Sequence, residues 1–322
     1  DADARAAIQA LGYVGGSTRT TDEFLTEGLP DPKDFAHLLT KLKLAHEIMH
    51  RAEDPKDKAL ALPLLKSVTR ESPNSQLFQF MLGTCLFSAG EVEEAVQAFQ
   101  AAIKIDPQNA QAYGVLAAAL AKMDRTDEAI EHFALSLQLD DRISDVHFQY
   151  AELLQRLGRS DEAVRHYEKA VELFPSFAAA HARLAHALQQ KGRTREGREH
   201  LDQAIGQFQS ALQRSPRDAD LHFRLGMAYG QSERTSEAIT EYREALRFQP
   251  KHGEALLNLG LTLGEQGEVQ EAEELLHRAT ADADVAPDAY HGLGVLMNKQ
   301  GKIDEAVKLY EQCVALKPSK SL

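Results

Sequence analysis

His46-Glu47-Ile48-Met49-His50 is the stretch whose residue types most directly suggest catalysis. On a helix, two imidazoles four residues apart reach one zinc ion, and the glutamate beside them serves as base toward the metal-bound water of a hydrolase. Such a centre also needs a third protein ligand and an open coordination position. Downstream there is no G-x-x-H, and only acids such as Glu71 lie at a suitable distance. The apolar stripe of this segment runs through Phe35, Leu38, Leu42, Ala45, Met49 and Ala52, which leaves both histidines on its flank, the place of two partly exposed helix histidines. The remaining histidines, among them His132, His147, His166, His181, His186, His200, His222 and His291, show no ligand clustering and read as surface or groove residues. Glycine-rich phosphate loops, dinucleotide fingerprints and nucleophile elbows are all missing. The expectation is a chain with no catalytic residues, no metal and no cofactor, the zinc hydrolase standing as an alternative that rests on one motif.

The elements that would position these residues are amphipathic helices at a fixed period. Prolines 73, 107, 175, 216, 250 and 318 each close an apolar-periodic run, as a residue that cannot continue a helix does. Pro73 to Pro107 is 34 residues and Pro107 to Pro175 is 68, with Asp141 midway; Pro216 to Pro250 is 34 and Pro250 to Pro318 is 68, with Asp284 midway. Pro175 to Pro216 is 41, one period plus seven residues, and seven residues lengthen a helix by almost two turns with little rotation of its apolar face. Within each period a large and a small residue, a turn, a Glu-Ala pair, an aromatic and another small residue recur. They are Leu82-Gly83, Gly90, Glu94-Ala95, Phe99 and Ala102 in the first unit, and Tyr150-Ala151, Gly158, Glu162-Ala163, Tyr167 and Ala170 in the third. The fifth has Leu225-Gly226, Glu233, Glu237-Ala238, Tyr242 and Ala245, and the seventh Leu293-Gly294, Gly301, Glu305-Ala306, Tyr310 and Cys313. The small residues let two helices approach, and the aromatic fills the space beside them. Cys85 and Cys313 both fall on apolar stripes and are expected as buried free thiols.

This pattern resembles the tetratricopeptide repeat, a 34-residue helix-turn-helix unit. The resemblance implies an all-α fold, a right-handed α-solenoid of antiparallel helix hairpins. It covers seven units over residues 76–322, one of them lengthened by seven residues near 198–211, after a degenerate hairpin at 34–75 and a non-repeat arm at 1–33. Pro63 should kink or shorten the second helix of the degenerate hairpin. In the arm, Ala10-Leu11-Gly12-Tyr13-Val14-Gly15-Gly16 and Gly28-Leu29-Pro30-Asp31-Pro32-Lys33-Asp34 are similar to the junction after the catalytic domain of bacterial sulfatases fused to such repeats. Those fusions are commonly exported, which points to a periplasmic or extracellular setting. The sulfatase Cys-x-Pro-x-Arg signature is absent, so no sulfatase activity is implied.

In this family the first helix of each unit lines a concave groove. Carried over, the groove residues are Phe80, Thr84, Phe148, Glu152, Arg183, His186, Phe223, Met227, Leu257, Asn258 and His291, with Arg156 and Arg224 placed to orient a ligand. The Lys and Asn pairs that clamp a terminal carboxylate in some relatives are missing. The expected partner is therefore an apolar or amphipathic segment of a protein or peptide. A second expectation is head-to-tail self-assembly into a homo-oligomer or filament, through Val307, Tyr310, Val314 and Leu316 of the last helix and Phe35, Leu38 and Leu42 of the first hairpin. A cap beyond the chain would equally explain that apolar last helix. The 36 basic against 49 acidic residues give a formal net charge of −13, which repels nucleic acid and anionic lipid, and no apolar run reaches the ~20 residues of a membrane span. There is no N-glycosylation sequon, although Ser17, Thr18, Thr20 and Thr21 cluster as hydroxyls.

Overall fold

The computed structural model of the chain describes residues 32–51 and 59–316, apart from the side chains of 32–36, Leu39, His46, His50 and Arg51. The arm, the histidine pair of the zinc-like motif and Phe35 therefore lie outside the described side chains. The described residues are helical throughout, with no strand. They form α1 (Pro32–Arg51), a 3-10 turn (Ala59–Ala61), α2 (Leu62–Glu71), α3 (Gln76–Ser88), α4 (Val92–Ile105), α5 (Ala110–Lys122), α6 (Thr126–Leu139), α7 (Ser144–Arg156) and α8 (Ser160–Leu173) in a first compact unit, Asp1–Pro175. The second unit, Ser176–Leu322, holds α9 (Ala178–Gln190), α10 (Thr194–Arg214), α11 (Ala219–Gln231), α12 (Thr235–Phe248), α13 (Gly253–Gln266), α14 (Val269–Ala279), α15 (Ala286–Lys299) and α16 (Ile303–Leu316). Within each unit consecutive helices pair as hairpins, and each hairpin packs on its neighbour in sequence.

Each local feature has a residue-level cause. The turn between the two helices of a hairpin needs one left-handed residue, supplied by Gly90, Gly158, Gly192, Gly267 and Gly301, and by Asp124 and Glu233 at the equivalent places. The Glu of the recurring Glu-Ala pair explains itself at the next step. Arg125, Arg159, Arg193 and Arg234, at the start of four of the second helices, donate to Glu128, Glu162, Glu196 and Glu237 three residues on, at 2.6–2.9 Å. These pairs are solvent-exposed and set the first turn more than they stabilise the unit. Prolines 73, 107, 175, 216 and 250 each follow a second helix by one residue. Pro63 does not kink α2: it sits in the first turn, where its missing N–H has no helical partner to lose, and the α-helix starts only at Leu62, the shortened form of the two expected.

The core of a hairpin is a small residue facing a large one, a ring in most and leucine in the α9–α10 and α13–α14 hairpins. A Cβ built on Gly83 would lie 2.6 Å from Phe99, one on Gly226 2.7 Å from Tyr242, and one on Gly294 2.5 Å from Tyr310. Cys85 and Cys313 are buried and not joined in a disulfide, and burial pushes the Cys85 thiol up to about 11. Helix α10 has 21 residues where α8 and α12 have 14.

Candidate functional site

In the first unit, the residues expected to line the groove separate by depth. Phe80 is buried on the Phe99 ring at 5.9 Å between centroids, so it belongs to the core and not to the groove wall. Phe148 stays half-buried above Tyr167, also at 5.9 Å, and Glu152 beside it accepts a long 3.4 Å hydrogen bond from the Tyr167 hydroxyl. Thr84 is half-buried and returns its hydroxyl to the Phe80 carbonyl at 3.0 Å. Arg156, expected to orient a ligand, donates to the Ala121 carbonyl of the preceding hairpin at 3.3 Å. Leu38 and Leu42, expected at a self-association face, are buried at 1% and 2% exposure, because they form the seam of α1 on the next hairpin elements.

Glu71, the acid that a zinc site would have required, is already engaged. It accepts from Lys41 Nζ at 2.6 Å and Ser67 Oγ at 3.0 Å, and lies 2.7 Å from His37 Nε2, contacts that hold its carboxyl down at about 2. Among the described residues no cluster of three metal-ligating side chains occurs.

In the second unit, Phe223 is buried against His252 at 4.9 Å and Tyr242 at 6.0 Å, and Leu257 is buried as well, so neither lines a groove. Both belong to the hydrophobic core of the unit. Asn258 is half-buried and donates to its own helix at the Glu254 carbonyl, while His291 is exposed 5.7 Å from the Tyr310 ring. Arg183, Arg224 and Met227 come together. With Ala179, Ala182, Phe208, Ala228 and Gln231 they line a pocket of about 380 Å³, including its open mouth, between α9 and α11 with α10 contributing Phe208. Arg183 and Arg224 are exposed; Arg224 Nε donates to Asp220 Oδ2 at 2.6 Å. Gln231 Oε1 is buried and, among the described residues, meets no donor. His186 is half-buried near Gln190, and burial followed by the Arg183 charge pushes its imidazole down. On α16, Val307, Val314 and Leu316 are exposed at 49%, 71% and 50%, while Tyr310 is half-buried over Gly294.

The histidines are not scattered. His147 and His181 are buried, and each meets a histidine 19 residues later across its hairpin: His147 Nδ1 to His166 Nδ1 at 2.9 Å, and His181 Nδ1 to His200 Nδ1 at 2.9 Å. His222 meets Glu241 at the same separation, at 2.6 Å. His147 Nε2 lies 2.9 Å from the Asp141 carbonyl and donates to it, so in the neutral pair its Nδ1 accepts the proton of His166 Nδ1. Burial, then the neighbouring imidazole, pushes His166 down to about 4, and burial pushes His147 down as well. The 19-residue recurrence of His, His, and His with Glu was the available signal; it joins opposite helices of one hairpin, which a search along single helices does not sample.

Comparison with known proteins follows this geometry. A tetratricopeptide repeat model matches residues 54–119, and a second matches 108–176, 142–215, 175–251 and 251–319. The chain belongs to the tetratricopeptide repeat family. None of these matches is to a catalytic domain. Among solved structures, the anaphase-promoting complex hetero-tetramer Cut9-Hcn1 is similar at TM-score 0.63 and 18% identity, covering 90% of this chain and 61% of that one. YrrB, described as a TPR protein with an unusual peptide-binding site, gives TM-score 0.36 at 23% identity, covering 60% of this chain and 95% of its own. MamA gives TM-score 0.43 at 22% identity, covering 49% and 93%. No curated protein matches the sequence. No described helix is long and apolar enough to cross a membrane.

Proposed function

We propose that the chain is a non-catalytic interaction scaffold that binds a peptide or protein segment along the first helices of its hairpins. The observation that carries this reading is the pocket between α9 and α11, concave, apolar at its base and rimmed by arginines. In the first unit Phe148 and Glu152 are half-buried on the first helix α7. The test is selection of random displayed peptides against the whole chain, followed by hydrogen exchange of each complex. Protection of α9 and α11, or of α7, supports the scaffold; failure to enrich any peptide overturns it. The similarity of residues 10–16 and 28–34 to a sulfatase–repeat junction supports an exported setting.

Self-assembly through α16 is a second reading, favoured by the exposure of Val307, Val314 and Leu316 along one helix. Light scattering over a concentration series tests it. Growth in particle size that Val314→Glu abolishes supports assembly, and a constant monomer mass excludes it.

A further inference from the structure

The pocket coincides with the one lengthened repeat among the hairpins of the second unit, and the register of α10 explains why. Leu201 stands 16 residues after Ala185, as Phe99 stands after Gly83 and Tyr242 after Gly226, so Leu201 occupies the ring's slot inside its own hairpin. Counting back one 34-residue period from Tyr242 lands instead on Phe208. The extra seven residues therefore give α10 two residues for one slot, and both are buried. Phe208 lies two turns beyond the hairpin's own small residue and is left to form the base of the space between α9 and α11, opposite Ala182 and Met227. In a shorter second helix one residue serves both contacts, as Phe133 does in its own hairpin and against Tyr150 of the next.

The chemistry of the rim says what enters. Most of the roughly 380 Å³ is open to solvent, so the depression is shallow, with room for the end of one side chain and not for a packed helix. Its base is a ring, a thioether and alanine methyls, so the entering group is apolar. Two guanidinium groups, those of Arg183 and Arg224, stand on the rim, placed to meet a carboxylate of a partner, although Arg224 is already paired with Asp220. Asp220 takes the Nε of Arg224, and a guanidinium has further N–H donors to offer a carboxylate. Gln231 Oε1 supplies an acceptor for a partner N–H.

We infer that the seven-residue extension of α10 has built a specificity pocket for one apolar side chain flanked by an acidic residue in a segment of a partner protein. This rests on the scaffold reading and names the chemistry of its ligand. The peptides selected against the whole chain are the probe. They should share an aliphatic or aromatic residue next to Asp or Glu, and Arg183→Glu, a change at an exposed position, should weaken them by at least ~10-fold. Replacing the peptide's acid with Lys should restore binding to Arg183→Glu and not to the parent chain. Phe208→Leu, which keeps a buried apolar residue, should weaken the same peptides while leaving the unfolding transition near that of the parent. Selected peptides that lack an acid, or that bind Arg183→Glu as tightly as the parent, overturn the pocket assignment and leave the scaffold standing. An empty selection overturns both.

Discussion

Glu233 holds a backbone φ of 62° at a place where five other hairpins use glycine. A long side chain in the left-handed region is strained, whereas Asp124 at φ 57° is of a type that tolerates it better. Glu233→Gly should therefore raise stability by roughly 0.5–1 kcal/mol in urea denaturation, and Asp124→Gly by less. Gly226→Ala should cost about 1–3 kcal/mol, since its Cβ would press on the Tyr242 ring at 2.7 Å, while Gly206→Ala, with nothing within 4 Å, should gain about 0.5–1 kcal/mol. The His147–His166 pair makes stability depend on pH. His166 is held near 4 against an ordinary 6.5, so the unfolded chain takes the proton first. The contribution is complete above pH 6.5 and is lost as pH falls toward 4, on the order of 2–3 kcal/mol. Urea midpoints across that interval should show the loss, and His166→Gln should flatten it. At this scale the sequence was legible for the Gly–ring pairs, where volume alone dictates the partner. It was not for Phe80 and Phe223, whose depth depends on which way a side chain leans from its helix, a choice that spacing leaves open.

At the scale of the element, the period was readable because proline and left-handed turn residues punctuate each hairpin whatever the surface residues do. Pro63 shows the limit of that reading: a proline means opposite things inside a helix and in its first turn, and only the observed start at Leu62 decides. The extension of α10 was visible as an interval of 41, but the pocket it opens depends on two adjacent first helices and on no single motif. Deleting residues 201–207 would bring Phe208 into the slot beside Ala185. The shortened chain should keep its helical circular dichroism and lose the peptides that select the pocket, because the residue at its base has been drawn into the hairpin.

For the whole chain, family and fold were written in the sequence, while the ligand chemistry proposed above rests on the place where the repeat departs from its own period. Contacts in each unit run mainly between consecutive helices, so stability is close to a sum over hairpins and their nearest interfaces. The regular turn spacing also gives the molecule a mechanical signature. Pulled from its two ends in an optical trap, each 34-residue unit that gives way releases about 12 nm of contour, and the unit that contains α10, with 41 residues, releases about 14 nm. The hairpin that carries the pocket would thus announce itself in a force–extension trace by the length of its step, and a bound peptide would be read as a higher force on that step alone.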